Sequence, residues 1–90
     1  MDGRARVARN VRRLRVAAGL SQEVLAVDAR LDRTYVSRIE RNLENPTVDT
    51  LDRIARALGV DLVEIVRETT ASKGRLATLR PGRKPGRKRR

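Results

Sequence analysis

The chain has 90 residues, room for one small domain or a smaller domain with a tail, and its 22 Lys and Arg against 11 Asp and Glu give a formal charge of +11. It contains no His and no Cys, which removes the usual general base, the thiol nucleophile, disulfides and the commonest transition-metal ligands, so no metal or cofactor is expected. Tyr35 is the single aromatic residue, no apolar run approaches the roughly 20 residues that span a bilayer, and the basic N-terminus lacks the apolar stretch of a signal peptide, so a soluble, cytoplasmic protein is expected.

The first segment runs from about Arg4 to Ala18, with Val7, Val11, Leu14 and Ala18 on one helical stripe and Arg6, Arg9, Arg12 and Arg13 mostly away from it. Gly19 ends it. Ser21 opens the second segment as an N-cap, and Leu25, Ala26 and Ala29 form its buried face. After a very short turn Asp32 caps the third, which continues to about Arg41 with Val36 and Ile39 inward. Asn45-Pro46-Thr47 introduces the fourth, where Val48, Leu51, Ile54, Ala55 and Leu58 keep helical spacing until Gly59. Asp61 caps a short fifth segment containing Leu62, Ile65 and Val66. Five short helices predict an all-α domain over residues 1–68, its core aliphatic and drawn together by small Ala contacts.

Charge is distributed unevenly along the chain. Residues 71–90 hold nine basic groups and no acid, leaving the first seventy residues at only +2. The tail, residues 69–90, contains the repeat Pro81-Gly82-Arg83-Lys84 and Pro85-Gly86-Arg87-Lys88, and is expected to be disordered when free. Its composition suits a phosphate tether, a solubilising extension or minor-groove insertion, although it lacks an Arg-Gly-Arg core. RNA binding suits the charge but has almost no aromatic side chains for base stacking.

Segments two and three, joined so tightly, predict a helix-turn-helix whose second helix can enter a major groove. At 100° per residue, Arg33, Thr34, Ser37, Arg38 and Arg41 share an outward arc, whereas Val36, Ile39 and Glu40 face inward. Arg forks match guanine O6 and N7, and Thr offers thymine a hydroxyl and a methyl. Periodicity alone leaves a solvated face and a base-reading face both open.

Leu14-Arg15, Gly19-Leu20-Ser21-Gln22, the run Leu31 to Arg41, Asn45-Pro46-Thr47 and Ile54 to Val60 occur in order, and together they resemble the lambda-repressor/Cro-type helix-turn-helix (XRE) family over roughly residues 5–66. The Asp32-Arg33-Thr34-Tyr35 opening is similar to restriction–modification controller proteins. The resemblance implies a five-helix, lambda-repressor-like, non-enzymatic regulator that binds double-stranded DNA. It implies that Arg33, Thr34 and Arg38 read bases, that Gln22 touches phosphate and braces the recognition helix, and that Tyr35, Ser37, Arg41, Asn42 and Asn45 meet the sugar-phosphate chain. It further implies an internal Arg15–Glu40 salt bridge, in agreement with the inward angle of Glu40. Arg30 and Asn42 depart from the family by standing where Gly is usual. Arg30 would be strained there, whereas Asn accepts a left-handed backbone well.

Val63 occupies a position that is commonly polar in the family. With Val60, Leu62, Ile65 and Val66 it makes the last helix apolar on more than one face, which reads as a homodimer contact at Val63 and Val66 or as a wide core stripe. A dimer implies an operator with two-fold symmetry. An antitoxin or other protein-interaction module on the same fold is the alternative function. No small-molecule substrate and no membrane partner are indicated.

Overall fold

The computed structural model describes residues 2–68, and the expectation for a disordered tail at 69–90 lies outside them. Among the described residues five α-helices follow in order: α1 Gly3–Ala17, α2 Gln22–Ala29, α3 Arg33–Glu40, α4 Val48–Leu58 and α5 Leu62–Val66. None of them is long and apolar enough to cross a membrane.

Each helix begins where a side-chain oxygen can take an otherwise unpaired amide. Asp2 accepts from Ala5 at 2.8 Å, Ser21 from Val24 at 3.0 Å and Asp32 from Thr34 at 2.7 Å. Thr47 accepts from Thr50 at 3.1 Å, and Asp61 from Val63 at 2.9 Å. Asp2 starts α1 earlier than the apolar stripe suggests. Its last turn also closes earlier, which leaves Ala18 exposed rather than on the buried stripe.

The first four helices end alike. In each, an amide two or three residues past the end of the helix reaches back to a carbonyl five residues earlier: Leu20 to Arg15, Leu31 to Ala26, Leu43 to Arg38 and Val60 to Ala55, all between 2.8 and 3.1 Å. Such a closure requires one residue in the left-handed region. Those residues are Gly19, Arg30, Asn42 and Gly59, with φ between 60° and 75°. Arg30 has the worst side chain for the conformation and borders Arg53 and Arg56. Arg30→Gly is therefore expected to stabilise the fold by about 0.5–1 kcal/mol, the relief of left-handed strain outweighing the greater chain entropy of glycine. A rise in the urea midpoint at constant m-value checks this.

Val7 and Val11 from α1, Leu25, Ala26 and Ala29 from α2, Val36 and Ile39 from α3, Leu51, Ile54 and Ala55 from α4 and Ile65 from α5 form one buried cluster. α3 packs against α1 and α2, while α5 packs against α1 and α4. α3 and α5 are thus both braced by α1.

Candidate nucleic-acid interface

Only residues 30–32 separate α2 from α3. The left-handed Arg30 turns the chain, Leu31 packs half-buried against the core, and Asp32 starts the next helix. α3 sinks Val36 and Ile39 completely and turns the Glu40 side chain inward beside them, which leaves Arg33, Thr34, Ser37 and Arg38 on its outer side. Arg33 and Thr34 are exposed in its first turn, and Tyr35, Ser37 and Arg38 are half-buried. Arg41 and Asn42 lie exposed just past its end, and Asn45 is exposed further along the connection to α4. Asn45 also borders a depression of about 380 Å³ shared with Arg4, Arg6 and Val66.

The far end of α3 is locked by an ionic cluster. Arg15 donates to the Glu40 carboxylate through Nε at 2.6 Å and Nη2 at 3.0 Å, and to the Leu20 carbonyl through Nη1 at 2.8 Å. Gln22 donates to the same carboxylate at 3.0 Å. The end of α1, the start of α2 and the end of α3 therefore meet at one acid, whose side chain is 2% exposed against 13% for Arg15. The hydrogen bonds that Arg15 donates to Glu40 raise the Arg15 pKa above its ordinary value, and the charge of Glu40 adds to the effect while burial opposes it.

Arg38 behaves differently from Arg33 and Arg41. Its Nε donates to Glu44 at 2.6 Å, and its Nη2 to the Leu43 carbonyl at 3.3 Å. Arg33 and Arg41 are exposed and have no ion pair among the described residues. The outward arc therefore has an acid at its border, Glu44, which helical angles do not reveal because it lies beyond the helix. Asn10 was also not apparent from the sequence. It is fully buried and donates to the carbonyls of Ile65 at 2.9 Å and Arg67 at 2.7 Å. An uncharged polar residue of poor helix propensity amid an apolar and arginine-rich helix was the available signal.

Residues 11–65 match the profile of the helix-turn-helix family. The chain belongs to the lambda-repressor/Cro-type (XRE) helix-turn-helix family of transcriptional regulators. Within this helix-turn-helix family, the HTH-type transcriptional regulator y4dJ of Sinorhizobium fredii is 45% identical over 69 residues, covering 77% of this chain and 90% of the relative. The structure of the hypothetical transcription factor NHTF from Neisseria aligns with a TM-score of 0.75 at 40% identity, over 83% of this chain and 85% of that one. The restriction–modification controller protein C.Esp1396I, solved as a tetramer with its natural 35 base-pair operator, aligns with a TM-score of 0.65 at 35% identity, over 74% of this chain and 99% of that one.

Proposed function

We infer that this helix-turn-helix regulator is a non-enzymatic, sequence-specific DNA-binding protein that acts in the cytoplasm, at the nucleoid, as a homodimer. The reading rests chiefly on the exposed Arg33–Thr34 turn of a helix whose opposite end is locked to α1 and α2. A groove-entering helix needs that combination of free polar tips and a rigid base. Arg33, Thr34 and Arg38 read base edges, while Gln22, Tyr35, Ser37, Arg41, Asn42 and Asn45 contact the backbone. The basic stretch at 71–90 adds phosphate affinity that falls with salt. The operator-bound assembly of C.Esp1396I supports DNA as the partner.

Val63 and Val66, 50% and 41% exposed on α5, form the self-association surface. Pairing there places two recognition helices about 34 Å apart, one turn of DNA, and implies a two-fold symmetric operator. Selection from a random DNA pool is expected to return such a site. Arg33→Ala is expected to relax one base position per half-site by about 1–3 kcal/mol. Equal weakening on all sequences would refute the assignment of Arg33 to base reading. Sedimentation equilibrium is expected to show a dimer that Val63→Glu splits into monomers, because a carboxylate would be buried at the contact.

A further inference from the structure

The connection after α3 is built so that it returns to Arg38. Asn42, at φ 62°, reverses the backbone, its amide bonds the Ile39 carbonyl at 3.0 Å, and the Leu43 amide bonds the Arg38 carbonyl at 2.8 Å. The side chain of Arg38 then closes a second ring on the same segment, through the Leu43 carbonyl at 3.3 Å and Glu44 at 2.6 Å. Backbone and side chain of one residue are thus both tied to Leu43, and the side chain to Glu44 as well.

A guanidinium has two hydrogen-bonding edges, one formed by Nε and Nη2 and the other by Nη1 and Nη2. In Arg38 the first edge faces the loop, and the hydrogen bonds of the side chain come from Nε and Nη2. The end-on edge presents two parallel N–H groups, the fork that matches guanine O6 and N7. The Arg38 side chain is 43% exposed, and among the described residues its Nη1 donates no hydrogen bond.

We propose that Glu44 is a specificity-determining positioning residue, which orients the Arg38 guanidinium so that its end-on edge meets a guanine instead of swinging to a phosphate. The proposal rests on the DNA-reading role of α3. Glu44 touches no base. It removes the freedom of a long side chain before binding, and its charge disfavours close phosphate approach at this border of the interface. The protein gives up some general affinity and gains discrimination at one base pair.

The test uses the full chain on its selected operator and on each single-base substitution of it. Glu44→Ala is expected to reduce discrimination at the position under Arg38 about tenfold, to tighten binding to unrelated DNA, and to steepen the salt dependence by about one counterion. Glu44→Gln, which keeps an acceptor for Nε, is expected to restore most of the discrimination but not the weak binding to unrelated DNA. Arg38→Ala should relax the same position, and adding Glu44→Ala to it should relax it no further. Thermal unfolding controls for folding, and little change is expected from a pair this exposed.

If Arg38→Ala relaxed one position and Glu44→Ala left that position intact, the positioning role would be overturned while DNA reading by α3 stood. Uniform tightening in Glu44→Ala with every preference preserved would likewise overturn it, leaving Glu44 as a mere electrostatic mask. No site preference in the unsubstituted protein would overturn the proposal together with the functional reading beneath it.

Discussion

Glu40→Ala is expected to cost about 3–5 kcal/mol of folding stability. The Glu40 carboxylate accepts from Arg15 twice and from Gln22 once, and it is almost completely enclosed. Removing it leaves a guanidinium, 13% exposed, with only the Leu20 carbonyl as a partner. A domain of this size holds about 3–10 kcal/mol in total, so the variant should be largely unfolded at growth temperature. Urea unfolding with circular dichroism measures the loss. A cost below about 1 kcal/mol would mean that the pair is solvated like a surface ion pair. The raised Arg15 pKa sets the pH behaviour on the alkaline side. A raised folded value contributes stability that is complete below the unfolded pKa and is lost only as pH rises through the folded one. For a guanidinium that lies beyond ordinary buffers, so no alkaline loss from Arg15 is expected near neutrality.

Asn10→Leu is expected to cost about 2–3 kcal/mol, and to loosen one helix more than the rest. α5 has five residues, too few to hold helical structure alone. Ile65 anchors it in the core, and the Asn10 amide fastens its end to α1. Leucine fills a similar volume but strands the Ile65 carbonyl in an apolar interior, whereas Arg67 is exposed and its carbonyl can turn to water. Amide exchange should accelerate in α5 before it does in α2 or α3. Because Val63 and Val66 lie on the same short helix, self-association should weaken in parallel. A stability change within about 0.5 kcal/mol, typical of a surface substitution, would show that the Asn10 clamp contributes nothing.

What could be read in advance follows the range of the interactions concerned. The starts of α2 to α5 were legible at Ser21, Asp32, Thr47 and Asp61 because an N-cap acts within three residues. The stops at Gly19 and Gly59 were legible for the same reason, and the left-handed Arg30 could be expected only from the resemblance. The inward turn of Glu40 was legible as an angle on α3. Asn10 was not, since its partners lie 55 and 57 residues away. Glu44 was not legible either. It stands past the reversal at Asn42, where helical periodicity no longer orders side chains, and by pairing with Arg38 it leaves Arg33 and Arg41 as the guanidiniums of the outward arc without an ion pair among the described residues.

Tyr35 is the sole aromatic ring in a chain without Trp or Phe, and it sits half-buried on α3, packed against the aliphatic core beside Thr34. Ultraviolet emission from this protein therefore arises at one spot, on the segment that would approach nucleotides. Optical titration with oligonucleotides needs no attached dye, because any quenching on mixing originates within a turn of the proposed contacts.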